Sequence, residues 1–235
     1  MQTTLGWSLV GFYLDGSIAL GEFEADRSDI DFVVVTDGDT PDEMFVALAA
    51  LHARLAVEAP RWGPELEGSY VPRDAIRHHD ARPAAHPYID RGTGRLEIVR
   101  QESGYWVIHR YVLREHGVAL SGPEPRTFID PVRPDDLRRA VSDVLREWWM
   151  PMLQEPMRLQ GWGYRCYAVL TMCRMLYSLS HSTIVSKRVA ARWTRQTLGP
   201  RWEGVVRDAL AWSSATVPDL DETLELIRLT WQRVP

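Results

Sequence analysis

Apolar residues recur along this chain in two rhythms, and the rhythm changes once. In the first half, Leu9 to Leu14, Asp29 to Thr36 and Leu66 to Val71 are short runs rich in β-branched and aromatic residues, which predict strands. Ser17 to Leu20 reads as a short helix. Pro41 to Ala59 places Met44, Phe45, Leu48, Leu51 and Leu55 at helical spacing and predicts a longer one. Ile30, Phe32, Val33, Val34 and Val35 show no polar alternation, so that strand is expected to be covered on both faces. Strands interleaved with covering helices predict a small sheet domain over residues 1–122.

The second half has helical spacing throughout. Gly104 to His116, Pro134 to Leu153, Trp162 to His181, Ser186 to Leu198, Arg201 to Ser214 and Asp219 to Val234 are separated by Pro, Gly and Ser. A helical bundle is expected over residues 123–235, with the boundary at the turn-rich Gly122-Pro123-Glu124-Pro125. The expected fold class is therefore α/β (α+β), a sheet domain followed by helices.

Composition narrows the partners. The 235 residues are 45% hydrophobic and 25% charged, enough for a sizeable core, and the formal charge of −5 argues against general nucleic-acid binding. Cys166 and Cys173 fall on one side of a predicted helix, too few for a zinc site and unable to bridge within it. They are expected to be reduced, in a cytoplasmic protein. No leader pattern is visible, and no apolar run approaches the roughly 20 residues needed to span a bilayer. His78, His79 and His86 fall in a predicted loop and are expected to be exposed. His109-Arg110 and Arg114 with His116 echo the spacing of small helical ribonucleases, over too short a stretch to carry a reading.

Candidate chemistry concentrates in Leu14-Asp15-Gly16-Ser17 and Ser28-Asp29-Ile30-Asp31. Residues two apart on a strand project to one side, so Asp29 and Asp31 are expected to point together. Two adjacent carboxylates at the head of an apolar strand call for a cation, and Mg²⁺, which favours hard oxygen ligands and phosphates, fits best. Gly16 lets backbone approach a phosphate, and Ser17 adds a hydroxyl. Lys187 is the only lysine among the 27 Lys and Arg residues, at the start of a predicted helix, and a point-charge ammonium suits a triphosphate oxygen. Arg174 interrupts a core-like pattern of Leu170, Cys173, Met175, Leu176 and Tyr177 and needs either a carboxylate or a ligand.

These residues resemble the nucleotidyltransferase superfamily that includes DNA polymerase beta, whose signature is Gly-Ser, a short helix and loop, then Asp-x-Asp on a strand. The likeness extends to the adenylyltransferases that modify streptomycin and spectinomycin. It is carried by Leu66-Glu67-Gly68-Ser69-Tyr70-Val71-Pro72, by Arg114-Glu115-His116-Gly117-Val118-Ala119-Leu120-Ser121-Gly122-Pro123, by Val169 to Tyr177, and by Ser186-Lys187. The resemblance implies two Mg²⁺ ions on Asp29 and Asp31, and ATP held by Gly16, Ser17, Ser28, Arg174 and Lys187. It also implies Glu67 as catalytic base, with neighbouring Glu65 as the alternative that only structure decides. It further implies an active centre between the two domains. The implied reaction moves AMP from ATP to a hydroxyl of a small molecule, first of all an aminoglycoside.

Two departures bear on the acceptor and the assembly. Family members carry acidic residues just before the helix that holds the phosphate-binding arginine, where this chain has Tyr164 and Arg165, which disfavours a polycationic drug. Glu102, Asp143, Glu147 and Glu155 are the candidate substitutes. Only residues 1–8 precede the first strand, where the family usually has a helix, so either the start is truncated or another surface, such as that of a homodimer, is expected to cover that side. The same departures motivate an alternative reading: an antitoxin-like or regulatory protein that binds or modifies a protein partner.

Overall fold

The computed structural model describes residues 6–78, 85–100 and 103–235, which form two compact units, Met1–Val132 and Arg133–Pro235. The first is a mixed sheet with helices on both faces. Its strands are β1 (Leu9–Leu14), β2 (Ile30–Thr36), β3 (Leu66–Pro72), β4 (Ala85–Ile89), β5 (Leu96–Arg100) and β6 (Val118–Ser121), in the order β5-β4-β3-β2-β1-β6. Among the described residues only β2 and β3 run parallel, joined across a helical crossover, and the other neighbours are antiparallel. The helices of this unit are α1 (Gly16–Ala19), α2 (Asp42–Glu58), α3 (Arg73–Arg77) and α4 (Ser103–His116).

The unbroken apolar run of β2 is explained by its two covered faces. Phe32 and Val34 pack with Leu48 of α2, Tyr70, Ile89 and Leu96 on one side. Val33 and Val35 pack with Tyr13, Val71, Ile76 of α3 and Trp106 and Leu113 of α4 on the other. Pro41 precedes the first turn of α2 and Asp42 and Glu43 complement its dipole, so the helix begins within a residue of the expected place. His52 of α2 is buried against the Tyr70 hydroxyl at 2.7 Å, and desolvation lowers its pKa to about 4, which keeps the ring neutral.

Strands β4, β5 and β6 have no counterpart in the periodicity reading. Pro87 demotes the β4 segment in any sequence reading, yet the ladder from β3 reaches only Tyr88 and Ile89, so the missing N–H breaks no bond there. His86 lies on β4, buried and bonded to Ser69 Oγ at 3.2 Å, which corrects its expected exposure. His78 is exposed, and His79 lies outside the described residues.

The first unit runs on past the Gly122–Pro125 turn. Arg114 donates to the carbonyls of Arg126 and Ile129, Ile129 is buried in the α4 face, and the Asp130 backbone N–H bonds to the Arg77 carbonyl. These bonds keep the segment after the turn with the sheet.

The second unit is helical: α5 (Pro134–Val144), α6 (Trp162–His181), α7 (Lys187–Leu198), α8 (Glu203–Ala211) and α9 (Leu220–Trp231). Helix α6 is its centre and is buried nearly all round, with Cys166 and Cys173 as free, buried thiols. The helix expected over Pro134 to Leu153 is interrupted: after Val144 come a π-type stretch at Leu145–Trp149 and a 3-10 turn at Met150–Leu153 that contains Pro151. No helix among the described residues is long and apolar enough to cross a membrane.

Candidate active site

The site is built where β2 and β3 begin. Their parallel register sets Asp31 opposite Glu67, and the pleat turns both toward the α4 face together with Val33, Val35 and Val71. One carboxylate oxygen each of Asp29, Asp31 and Glu67 lies within 4.8 Å of the other two. Three hard oxygen donors at this spacing suit a divalent cation such as Mg²⁺.

Electrostatics agree with that donor set. The Asp31 carboxyl is pushed from 3.8 up to about 8, first by burial and then by the charges of Asp29, Asp15 and Glu67. Burial likewise raises Glu67, against the Tyr88 hydroxyl, which donates to its Oε1 at 2.7 Å. A cluster in which ionisation is this unfavourable is the one a metal would relieve.

Beside it, Gly16 has φ +56, and a Cβ built there would stand 1.8 Å from Asp31 Oδ2. Only glycine leaves room for that carboxylate. Ser17 Oγ is buried with no hydrogen-bond partner among the described residues. Ser28 instead caps its own turn: its Oγ accepts from the Glu24 N–H at 3.0 Å, which fixes the chain just before Asp29.

Glu65 and Glu67 separate clearly. Glu65 is bound by Arg91, whose Nε donates to its Oε2 at 2.7 Å and whose Nη1 lies 3.9 Å from Asp29. Glu67 alone of the two joins the aspartates.

Two further residues, Asp15 and His109, were given no role at this site by the sequence. Asp15 is only 2% exposed, its backbone N–H bonds to the Asp31 carbonyl, and its Oδ2 lies 2.8 Å from His109 Nδ1 on α4. A buried carboxylate needs a partner, but nothing local to Asp15 indicates that the partner lies 94 residues away.

In the helical unit, Arg174 is half-buried on α6, and its guanidinium has no carboxylate partner among the described residues. Lys187, the first residue of α7 after the Ser186 cap, lies over the Tyr167 ring at 4.6 Å.

Arg165 serves the bundle: its Nε donates to the Leu159 carbonyl at 2.8 Å and its Nη1 to the Pro218 carbonyl at 3.0 Å. Tyr164 accepts from Trp148 Nε1 at 3.1 Å. Of the candidate acidic substitutes, Asp143 and Glu147 are both engaged by Arg146, Glu155 is exposed, and Glu102 lies outside the described residues.

Two family models match the chain: the nucleotidyltransferase domain over residues 6–76 and the aminoglycoside adenylyltransferase C-terminal domain over residues 127–231. An aminoglycoside (3'') (9) adenylyltransferase of Klebsiella pneumoniae is 35% identical over 97 residues, 41% of this chain and 34% of the relative. That match thus spans about a third of the relative's length. A spectinomycin 9-adenylyltransferase of Staphylococcus aureus is 28% identical over 203 residues, 82% of this chain and 73% of the relative. Among solved structures, a spectinomycin adenyltransferase from Enterococcus faecialis, crystallised with ATP and spectinomycin, shares the fold at TM-score 0.70 and 15% identity, over 99% of this chain and 94% of that one. With both domain types matched in order and the acid cluster in place, the chain is similar along most of its length to the aminoglycoside adenylyltransferase-like nucleotidyltransferases.

Proposed function

We propose that this protein is a Mg²⁺-dependent adenylyltransferase that moves AMP from ATP to a hydroxyl of a small molecule, with an aminoglycoside of the streptomycin and spectinomycin class as first candidate. The observation that carries the reading is the convergence of Asp29, Asp31 and Glu67 within 4.8 Å beside Gly16 and the unpartnered Ser17 hydroxyl.

Asp29 and Asp31 would hold the two ions, with Glu67 beside them. When bound, magnesium supplies charge neutralisation at the phosphate oxygens and at the departing pyrophosphate. The remaining work is positioning. Gly16 keeps the backbone clear of the phosphates, Ser17 offers them a hydroxyl, and Ser28 fixes the turn that presents Asp29. Arg174 and Lys187 are the proposed triphosphate cations, one without a carboxylate partner among the described residues and the other steadied by an aromatic ring. Glu67 takes the proton of the acceptor hydroxyl, its carboxylate oriented by the Tyr88 hydroxyl and its basicity increased by burial. The buried, unpaired thiols suit a cytoplasmic enzyme.

Arg165 is tied to two backbone carbonyls, so the reason it gave against a cationic acceptor is weakened. Incubation with ATP, Mg²⁺ and a panel of aminocyclitols, read by mass spectrometry, is expected to give a product heavier by one AMP. The Asp29→Asn variant is expected to give none. Absence of product across the panel would remove the antibiotic from the assignment.

A further inference from the structure

Asp15 is the least exposed carboxylate among the described residues, and the roles assigned above make no use of it. Its partner fixes a histidine. With Oδ2 2.8 Å from His109 Nδ1, the carboxylate accepts the Nδ1–H and holds the ring in one orientation. Tyr105 stacks on that ring at 6.0 Å and Trp106 lies against it at 5.6 Å. The other nitrogen, Nε2, has no hydrogen-bond partner among the described residues, and the side chain keeps 35% of its exposure. The ring stands near enough to the acid cluster for the charges of Asp31 and Glu67 to act on it.

We propose that His109, oriented by Asp15, is a further catalytic group of this site: its Nε2–H donates to a non-bridging oxygen of the nucleotide α-phosphoryl group. The inference rests on the adenylyl-transfer reading. As the acceptor oxygen bonds to the α-phosphorus, the bond from that phosphorus to the pyrophosphate oxygen breaks and its electron pair leaves with pyrophosphate. The hydroxyl proton goes to Glu67, and His109 keeps its own. Negative charge on the phosphoryl oxygens then meets a hydrogen-bond donor already oriented by Asp15, which is where preorganised donors lower a barrier most. Burial of the ring opposes its charge, but the Asp15 hydrogen bond and the charges of Asp15, Asp31 and Glu67 outweigh it and raise the imidazole pKa. Asp15 acts through His109 and is a positioning residue.

The test uses Mg²⁺ with α,β-methylene-ATP, which binds without transfer, and adenosine as the phosphate-free control, both by calorimetry. His109→Gln and Asp15→Asn are each expected to weaken the methylene analogue roughly tenfold or more while leaving adenosine unchanged, and the double variant is expected to be no weaker than either. Ring-nitrogen NMR of the wild-type protein carries the test should a variant not fold. The His109 Nε2 signal is expected to move with the methylene analogue and to stay with adenosine. Equal affinity in folded His109→Gln, or an Nε2 signal indifferent to the analogue, overturns the proposal. So does tighter Mn²⁺ uptake with unchanged nucleotide affinity, which would make the pair a counter-charge for the acids alone. A wild-type protein that binds neither the methylene analogue nor adenosine overturns the adenylyl-transfer reading and this inference with it.

Discussion

Gly16 and Asp31 constrain each other at atomic range. A methyl at Gly16 would strike Asp31 Oδ2 in a backbone conformation that already disfavours side chains. Gly16→Ala is expected to cost at least about 1 kcal/mol in denaturant unfolding and to reduce Mn²⁺ binding measured by electron paramagnetic resonance. Asp31 should show the opposite split between stability and function. Its carboxyl is held near 8 by burial and by Asp29, Asp15 and Glu67, so its ionised form is unfavourable in the folded protein. Asp31→Asn is therefore expected to raise the melting temperature in chelator at about pH 8 while abolishing metal binding. A lower melting temperature under those conditions would show that the isolated carboxylate is better accommodated than its surroundings indicate.

At the scale of elements, local pattern and tertiary demand agree in β1, β2, β3, in α1, α2 and α4, and in α6 to α9, and part company at β4, β5, β6 and the end of α5. The elements that agree were legible because each carries a complete local signal, an apolar β-branched run or helical spacing bounded by Pro, Gly and Ser. The β4–β5 hairpin was not, since Pro87 speaks against a strand, and only the register shows that the β3 ladder begins one residue later, at Tyr88. The end of α5 was obscured because Arg146, Glu147 and Met150 are ordinary helix formers, and Pro151 alone announces the change to 3-10 geometry. Arg165 shows the same limit in a side chain. It reads as a cation facing an acceptor, yet it ties the start of α6 to the Leu159 and Pro218 carbonyls. Arg165→Ala is accordingly expected to destabilise the protein by about 2 kcal/mol in urea unfolding and to leave ATP affinity unchanged. Loss of acceptor binding with unaltered stability would return Arg165 to the pocket.

For the whole molecule, the acid cluster makes stability depend on pH and on metal. Asp31 and His109 both have folded pKa values raised above their ordinary ones, so each contributes stability that is complete below its unfolded pKa and is lost as pH rises through the folded value. For Asp31 the window runs from about 4 to about 8. In chelator, the melting temperature is expected to fall across that window, and Mg²⁺ with ATP is expected to flatten the decline by binding only the folded protein. Scanning calorimetry at several pH values, with and without Mg²⁺ and ATP, measures both slopes.

What the sequence determined by itself was what neighbouring residues decide: the buried strand, the two aspartates in phase along it, the glycine before them, and the switch to helices. Each follows from a repeat of two or 3.6 residues that needs no knowledge of distant chain. Tertiary structure decided which glutamate joins the aspartates, because the β2–β3 register, and not the spacing of Glu65 and Glu67, sets Glu67 opposite Asp31. It also decided that Asp15 meets His109 and that Arg165 serves backbone carbonyls, since burial forces polar groups to find partners wherever packing brings them.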